Sequence, residues 1–552
     1  MSIINWTEMS KTNTKLASTI GTLKPKPALV ASKAIPKPDT TNISGHSAYT
    51  QEKWRKLLTI LNTSKLQSQY YRSESETLKD LHALIADCAE ENLYLTCQCI
   101  VYSRCVGEGL RTISHAASVF ISSHLAGAEF SKRFYSHWDK SKKQGGVIFR
   151  PDDMYEIMQG FIALNSSSES SPKLTNAMKK GFASAIESFD SYPLLKYKSS
   201  LIDVINLVRP KATNSEATVI IDGKMHYTIN AIMQGLKVSA DTWEVNQVKA
   251  GQIVAEAVKE GKVDAVQAQA ILTEAKAENW DELLSSDKLG ILAAIRNLRN
   301  ILKNDPKDET IDKLAHLLAN SDRIRDGKIF PYQLDIANEL ILQEFPADRN
   351  ARILSIALSK GYTYAVPNLS AILPGRNVIF LDQSGSMDYS IIVNGKNGSQ
   401  SCSKKASMLA ATIALATNAD IIRFGSTAQY ITYDPSVNIF TLAKILDNPK
   451  MGGTNLASAW DLASRTGIYD RVFILSDNEC NVGSSYDRYK KYVEQVGDPY
   501  VYSVDLAGYG TDCIAGDKVK YFYGYGMAMF EDIAKLEYNP DHHMDKVKQI
   551  II

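Results

Sequence analysis

The sequence has 552 residues, which is too many for one ordinary domain of roughly 100 to 200 residues and therefore predicts several domains. Hydrophobic residues make up 44% of the chain and charged residues 22%, a composition that excludes wholesale disorder. Lys and Arg together number 62 and Asp and Glu 61, so no overall charge attracts nucleic acid. Any polyanion must therefore bind at a local patch.

Neither the apolar runs nor the cysteines indicate a membrane or secreted protein. The longest mostly apolar stretch, Met408 to Ala416, is shorter than the roughly 20 residues that a membrane-spanning helix needs. The 7 cysteines are odd in number and form no CxxC pair, which argues against a disulfide framework and against a zinc site. We therefore expect a cytoplasmic protein with reduced thiols and no membrane partner.

Residues 1–45 are predicted to form an extended amino-terminal arm. They contain the runs Lys24-Pro25-Lys26-Pro27 and Ile35-Pro36-Lys37-Pro38. Proline fixes the backbone without offering a hydrogen-bond donor, so this segment should pack poorly by itself. A solvated tail, an arm lying over a neighbouring domain and a contact with phosphates remain the alternatives.

Residues 46–365 show the periodicity of helices. Apolar residues recur at spacings of three and four with short polar breaks between them. The clearest segments are Leu78 to Ala89, Leu93 to Val106, Leu110 to His124, Ala250 to Ala277, Leu289 to Leu302 and Thr310 to Leu318. This pattern favours an all-α arrangement of stacked helical pairs, an α-solenoid that could close into an arc or ring, although a larger irregular bundle fits the periodicity nearly as well.

Residues 366–552 have the texture of an α/β domain. Short β-rich runs alternate with helical stretches, which is typical of βαβ units and predicts a doubly wound parallel sheet with helices on both faces. The predicted strands are Val378 to Leu381, Asp420 to Phe424, Val472 to Leu475 and Tyr500 to Val504. The predicted helices are Lys404 to Ala416, Leu456 to Thr466 and Tyr486 to Val496.

The most specific chemical signal lies where these strands end. Asp382, Ser384 and Ser386 directly follow the first strand, Thr454 follows a Gly-Gly pair, and Asp477 follows the third strand. Together they form an all-oxygen set of two carboxylates and three hydroxyls, which hard cations such as Mg²⁺ prefer. The alternative is that the serines cap a helix and the aspartates are ordinary strand-end acids.

This set resembles the metal-ion-dependent adhesion site (MIDAS) of von Willebrand factor A domains. In that family the serines and the threonine usually contact the metal, and the aspartates often act through water. The resemblance implies that Asp382, Ser384, Ser386, Thr454 and Asp477 bind Mg²⁺ or another hard divalent cation. It also implies that a partner's carboxylate or phosphate completes the coordination sphere.

A helical domain followed by such an A domain resembles the TROVE family of Ro autoantigen-like proteins. The likeness covers most of the chain from about residue 50 onward. It is carried by the segments Ala177 to Lys198, Leu201 to Lys211, Leu292 to Leu298, Phe330 to Ala337, Gly452 to Thr454 and Phe473 to Glu479.

The resemblance implies an all-α ring of HEAT-like helical repeats that the A domain holds closed. In the family, the central hole takes single-stranded RNA ends and the outer basic surface takes small noncoding or misfolded RNAs. Two features depart from the family pattern. Ser199-Ser200 stands where a Gly-Trp-x-His run is common, and residues 212–286 form an insertion that contains a strand-like run, Thr218 to Ile221.

Two basic runs in the helical half are candidates for RNA contact. Cations neutralise phosphates, and exposed aromatic rings, such as Phe134, Tyr135 and Trp138 in the first run, can stack on bases. The alternative is that these are solvated helix faces and that Trp138 belongs to the core. The candidate residues are Lys132, Arg133, Lys140, Lys142, Lys143, Lys179, Lys180, Lys196, Lys198, Arg209 and Lys211.

No enzyme motif is present in the sequence. It lacks phosphate-binding and dinucleotide-binding loops, the HExxH zinc motif and the G-x-S-x-G nucleophile elbow. We therefore predict a noncatalytic RNA-binding protein of ribonucleoprotein particles, without DNA specificity. The alternative is a structural scaffold whose A domain binds an acidic protein partner through its metal.

Overall fold

The structure, a computed structural model, describes residues 35–64, 66, 68–166, 173–236, 254, 257–260, 262–286, 289–327, 329, 331–365, 373–389, 401–523 and 532–552. It divides into two compact units, each built from two stretches of chain. The α/β unit comprises the described residues of Met1–Gln51 and Val366–Pro540, and the helical unit those of Glu52–Ala365 and Asp541–Ile552.

The helical unit confirms the predicted helical character of the first part of the chain. Helices that follow one another pack together, as Pro331–Glu344 does on Arg349–Ala365. The described helices of this unit are Lys53–Thr63, Glu74–Cys105, Arg111–Phe120, Ser131–Phe134, Pro151–Asn165, Asn176–Ser188, Ser191–Lys196, Lys198–Val208, Thr228–Met233, Ala265–Ser285, Ile291–Leu302, Asp308–Leu318, Ser321–Asp326, Pro331–Glu344, Arg349–Ala365 and His542–Lys548, with a 3₁₀ turn at Ile121–Ser123.

Two predicted helices are joined end to end in Glu74–Cys105. The backbone of Asn92 is non-helical, with φ −153° and ψ 89°, so the predicted break between the two segments is present as a kink. The side-chain oxygen of Asn92 accepts a hydrogen bond from the N–H of Leu95 at 3.0 Å and so caps the second segment. Ser73 caps the first, because its hydroxyl accepts from the N–H of Glu76.

The carboxyl terminus belongs to the helical unit, whereas the sequence placed it in the α/β domain. The side chain of Gln98 donates to the carbonyl of Ile550 at 2.7 Å, and the N–H of Ile552 donates to the hydroxyl of Tyr94. Val547 and Ile550 are buried. The prediction for residues 541–552 was therefore wrong, because the buried residues of this tail pack on the long helix instead of extending the sheet domain.

The insertion contains the predicted strand. Thr218–Ile221 pairs in antiparallel register with Lys224–Tyr227 through a tight turn at Asp222 and Gly223, both with positive φ. Such a two-residue loop needs left-handed backbone at both positions, which Asp and Gly tolerate. Residues 237–253, 255–256 and 261 of the predicted insertion lie outside the described residues.

The α/β unit is built on a six-stranded sheet. Each of the four predicted strands is present, and Asp420–Phe424 has the predicted bounds. Neighbouring strands in the sheet are parallel except at one edge. The order across the sheet is Val519–Tyr523, Tyr500–Asp505, Arg471–Ser476, Asn377–Asp382, Asp420–Phe424 and Ala428–Ile431.

The sheet departs from the predicted parallel arrangement at that edge. Ala428–Ile431 runs antiparallel to Asp420–Phe424 because the chain turns back at once, with the N–H of Gly425 donating to the carbonyl of Thr427 at 3.0 Å. A connection this short suffices for an antiparallel pair, whereas a parallel neighbour needs a crossover. The sheet is therefore mixed.

Helices cover both faces of the sheet, as predicted. Every residue of the central strand Asn377–Asp382 is buried, which requires cover on each side. On one face, Trp460 of the helix Leu456–Thr466 packs edge-on against Phe380, with 4.9 Å between ring centroids. The described helices of this unit are Cys402–Thr417, Ile439–Leu446, Leu456–Thr466, Ser485–Gln495 and Lys535–Tyr538, with a 3₁₀ turn at Gly385–Asp388.

The described part of the predicted amino-terminal arm lies on the α/β unit. Thr40–Thr41 pairs with Ser47–Thr50, which in turn pairs with Thr511–Asp512. The arm therefore ends in a small antiparallel sheet. Of the three alternatives for the arm, the one in which it lies over a domain holds for these described residues. Residues 1–34 lie outside the described residues.

Within the described part of the chain, no helix is both long and apolar enough to cross a membrane.

Candidate functional site

The predicted metal-binding loops lie at one edge of the sheet. Asp382 is the last residue of the central strand, and Asp477 follows the adjacent strand Arg471–Ser476. These two strands are parallel, with Leu475 opposite Leu381, so they end at the same edge. This is the edge where ligands of open α/β sheets bind.

Asp382 is fixed by hydrogen bonds to both of its carboxylate oxygens. Its Oδ1 accepts from the N–H of Ser384 at 2.9 Å, and its Oδ2 accepts from the hydroxyl of Ser476 at 2.5 Å. The hydroxyl oxygens of Ser384 and Ser386 lie 3.2 Å apart. Asp382 and Ser384 are almost completely buried and Ser386 is 7% exposed, so the loop presents preorganised oxygen atoms.

Backbone hydrogen bonds join the loop of Thr454 to the other two loops. The N–H of Gly385 donates to the carbonyl of Gly452 at 2.9 Å. The N–H of Thr454 donates to the side-chain oxygen of Asn481 at 2.8 Å, and the N–H of Asn481 donates back to the carbonyl of Thr454. Gly452 has a φ of +79°, a conformation that favours glycine and permits this close turn.

Several oxygen atoms at this edge lack a hydrogen-bond partner in the described structure. Among the predicted ligands these are Oγ1 of Thr454 and Oδ2 of Asp477, both fully shielded from solvent. Buried polar atoms are normally satisfied, because an unsatisfied one costs roughly 1 to 3 kcal/mol. The donor set therefore fits a small hard cation, which oxygen atoms of this kind coordinate.

The carboxyl groups of Asp382 and Asp477 both have raised pKa values. Burial, together with the nearby carboxylate of Asp477, raises the pKa of Asp382. Burial raises the pKa of Asp477 as well, although the facing Ser386 hydroxyl opposes the shift. Two carboxylates this deeply buried repel each other, so both remain charged only with a compensating positive charge.

Sequence reasoning missed two further acids at this edge, Glu479 and Asp505. Glu479 accepts hydrogen bonds from the N–H and hydroxyl of Ser44, and its Oε1 has no partner in the described structure. Burial and the charge of Asp477 raise the pKa of Glu479 to about 7, and burial raises that of Asp505 to about 7. The Asp-Asn-Glu run after a buried strand was the available signal for Glu479.

The predicted metal site differs in composition from metal clusters that are rich in acids, histidine or cysteine. Across the described ranges no group of three or more His, Cys, Asp or Glu side chains is arranged to hold a metal. The predicted set contains only two carboxylates and completes its ligands with hydroxyls. The metal assignment and the likeness to an A domain therefore stay predictions.

The predicted RNA-contacting cations are accessible on the helical unit. All are exposed except Lys179, which is half-buried. Lys142 forms an ion pair with Asp139 at 3.1 Å. Lys132, Lys140, Lys143 and Lys180 form no ion pair with any described residue. Their charges are therefore available to an anion.

The aromatic part of that prediction was wrong. Phe134 and Tyr135 are fully buried, and Trp138 is 3% exposed, so none of them offers a stacking surface. Tyr135 instead packs edge-on against Phe182, with 5.9 Å between ring centroids. Hydrophobic side chains of this size bury in the core unless something holds them out. The exposed ring in this segment is Phe149, which the sequence did not single out.

His115, which carries no catalytic signal in the sequence, belongs to a buried ionic network. Its Nε2 lies 3.1 Å from Oδ1 of Asp153, and Arg104 donates to both oxygens of the same carboxylate at 2.9 and 2.7 Å. Burial alone would raise the pKa of Asp153, but the hydrogen bond from His115 and the charge of Arg104 hold it well below its usual range. This network is structural.

One comparison with known proteins agrees with the TROVE resemblance. The family model of the TROVE domain matches residues 265–359. The chain is similar to TROVE proteins. The TROVE resemblance drawn from the sequence is thereby confirmed, and the match begins with the helix Ala265–Ser285 and ends within Arg349–Ala365. No curated protein matches the sequence.

The solved structures that align with this TROVE-like chain include the following two. The crystal structure of the Deinococcus radiodurans Ro (RSR) protein is 14% identical, with a TM-score of 0.47, and the alignment covers 88% of this chain and 100% of that one. Proximal thread matrix protein 1 from the mussel byssus is 11% identical, with a TM-score of 0.21 over 30% of this chain and 47% of that one. At these TM-scores neither alignment bears on function.

Proposed function

We propose that this protein binds RNA and forms ribonucleoprotein particles without catalysing a reaction. The observation that carries the proposal is the match of residues 265–359 to the TROVE domain, because TROVE proteins are RNA-binding. The RNA partners would be small structured RNAs, either noncoding or misfolded. Recognition would depend on their shape and unpaired segments, as is usual for structured RNA.

Exposed cations on the helical unit support this proposal. Lys132, Lys140, Lys143 and Lys180 are exposed and form no ion pair with a described residue. Lysines that already neutralise a carboxylate gain little from a phosphate, whereas unpaired ones release counterions when they bind it. The net charge of +1 means that these local groups, and not the whole molecule, would attract the RNA.

The α/β unit would contribute a Mg²⁺ site to the particle. Asp382, Ser384, Ser386, Thr454 and Asp477 would hold the ion, and the bound cation would neutralise the buried acids. The support is geometric: Asp382 and Ser384 are held by hydrogen bonds, and two shielded oxygens, on Thr454 and Asp477, lack a partner in the described structure. Site occupancy would therefore stabilise this unit, independently of RNA.

The direct test is to identify the RNA that accompanies the protein. The full chain would be purified from its native source with ribonuclease inhibited, and the copurifying RNA would be sequenced. We expect short structured RNAs, enriched over total RNA. A Lys132→Glu, Lys180→Glu double variant should lose most of them, whereas Lys360→Glu, an exposed lysine outside the predicted set, should retain them. Protein that carries no RNA and binds none when it is added back would contradict the proposal.

A further inference from the structure

A pocket opens on the helical unit within the basic segment. Its volume is about 560 Å³, which is within the usual range for small-ligand sites. The lining combines three aromatic residues with a carboxylate, an ammonium group and several hydroxyls. The lining residues are Ser136, His137, Trp138, Asp139, Lys140, Ser141, Phe149, Ser184 and Ser188.

The walls of this pocket are fixed by the backbone. The N–H of Trp138 donates to the carbonyl of Ile148 at 2.8 Å, so the two chain segments that line the pocket are bonded to each other. A Cβ added at Gly145 would lie 2.2 Å from the carbonyl oxygen of His137, so no other residue fits there. The carboxylate of Asp139 accepts from the N–H and hydroxyl of Ser141. A cavity with such walls is preformed.

One wall of the pocket carries an aromatic ring that is open to solvent. Phe149 is 41% exposed, and the guanidinium of Arg104 lies 5.3 Å from its ring centroid. The second ring, His137, is half-buried and packs against Phe189, with 4.3 Å between centroids. An exposed aromatic ring beside a polar-lined cavity suits a flat ligand that stacks on the ring and hydrogen-bonds at its edges.

The charges around the pocket suit a ligand attached to phosphates. Lys140 lines the pocket, and its acidic neighbour Asp139 is already paired with Lys142. Lys180 precedes Ser184 by four residues on the helix Asn176–Ser188, so its side chain projects from the same face of that helix as a lining residue. Lys140 and Lys180 therefore place two cations at and beside the pocket, among the carboxylates of Asp139, Asp153 and Asp190 that act on His137, and these cations can hold the phosphates of a polyanion that passes over them.

We propose that this pocket binds one unpaired base of the RNA, stacked on Phe149, with the flanking phosphates held by Lys140 and Lys180. The inference rests on the proposed RNA-binding function and deepens it, because it identifies a base-binding position beside the phosphate-binding surface. Phosphate contacts position an RNA without reading it, whereas an inserted base adds selectivity for unpaired segments. Duplex RNA without an unpaired base would therefore bind more weakly.

The test compares two probes that differ only in their bases. Each is a fluorescein-labelled RNA hairpin with a short single-stranded tail, and the tail either contains all four bases or consists of abasic riboses. Binding is measured by fluorescence anisotropy with the full chain. We expect the wild-type protein to prefer the tail with bases by about 10-fold, because stacking contributes substantially for each base.

Variants assign that preference to the pocket. Phe149→Ala should remove the preference and leave the affinity for the abasic probe unchanged, whereas Phe149→Tyr should retain it. Tyr70→Ala changes an aromatic ring that is also exposed but does not line the pocket, and should have no effect. Because Phe149 contacts Arg104, a second variant fills the pocket instead: Ser188→Trp, at an exposed lining position, should also abolish the preference.

The outcomes separate this inference from the proposed function. Equal, salt-sensitive binding of both probes by the wild-type protein would overturn the pocket assignment and leave RNA binding intact. The pocket assignment would also be overturned if Phe149→Ala bound both probes more weakly by the same factor. The ring of Phe149 would then support RNA binding by stabilising the fold and not by stacking on a base. If neither probe binds, the RNA-binding function fails together with the pocket.

Discussion

The N–H of Gly385 donates a hydrogen bond to the carbonyl oxygen of Gly452, with 2.9 Å between the two atoms. This bond holds the loop that carries Ser384 and Ser386 against the loop that carries Thr454. Residues far apart in sequence thereby reach the same sheet edge through backbone contacts. The candidate metal site is thus preorganised, which reduces the cost of binding.

The variant Thr454→Val should show whether Thr454 is a metal ligand or an ordinary core residue. The hydroxyl of Thr454 is buried and has no partner in the described structure, so its replacement by a methyl group removes no hydrogen bond there. We expect the variant to be at least as stable as the wild type without metal and to lose Mg²⁺-dependent stabilisation. The measurement is the melting temperature as a function of Mg²⁺ concentration.

Ser503→Ala is the matched control for that experiment. Its hydroxyl is also buried and without a partner in the described structure, but Ser503 is not among the predicted ligands. It should keep the wild-type response to Mg²⁺, and Asp382→Ala should lose it. If Thr454→Val and Asp382→Ala both respond as the wild type does, the metal assignment is wrong.

Asp153→Asn should destabilise the helical unit in a pH-dependent manner. The substitution leaves the buried guanidinium of Arg104 without its carboxylate, which costs about 3 to 5 kcal/mol for a buried ion pair. The pKa of Asp153 is lower in the folded state, so its contribution is fully present above the unfolded pKa of about 3.9 and is lost as the pH falls. Urea unfolding should show a large difference between wild type and variant at neutral pH and a smaller one below about pH 4.

A pH-independent difference would contradict that account of Asp153. Asp222→Asn provides the control, because Asp222 is exposed in the turn of a hairpin and has no ion pair with a described residue. Its unfolding curve should stay within about 0.5 kcal/mol of the wild type at both pH values, as surface substitutions usually do.

Gly181→Ala should loosen the helix that forms one wall of the pocket. A Cβ at this position would lie 2.6 Å from the carbonyl oxygen of Lys132 and 2.6 Å from the Cβ of Tyr135. We expect a loss of about 1 to 3 kcal/mol in the free energy of unfolding, as for other overpacked sites. At Gly290 an added Cβ meets nothing within 4 Å, so Gly290→Ala should cost less than about 1 kcal/mol. Equal stabilities of the two variants would show that the close helix contact is not needed.

Regular patterning made much of the fold predictable. The strand Asp420–Phe424 and the helix Leu456–Thr466 have the predicted bounds, since each has a clear period and clear end signals. The edge strand Ala428–Ile431 was missed because its residues are half-buried or exposed and give no apolar run. Its antiparallel direction follows from the short turn at Gly425, a tertiary outcome that strand patterns do not encode.

The candidate metal site could be predicted where its residues directly follow strands in the sequence. Asp382 and Asp477 follow apolar runs directly, so their common edge could be inferred. By contrast, the contact between Ser44 and Glu479 joins residues hundreds of positions apart and has no local signal. The solvent exposure of individual aromatic side chains could not be predicted either, because the sequence does not distinguish buried Trp138 from exposed Phe149.

The salt dependence of RNA binding tests the central claim most directly. The affinity for a structured RNA with a single-stranded end would be measured over a series of salt concentrations for the wild type, for the double variant Lys179→Glu, Lys180→Glu and for Lys360→Glu. We predict that the wild type and Lys360→Glu bind with the same steep slope of log K against log salt, and that the double variant binds more weakly with a slope smaller by about 1 to 2. Wild-type binding that is absent, or that does not change with salt, would contradict the account.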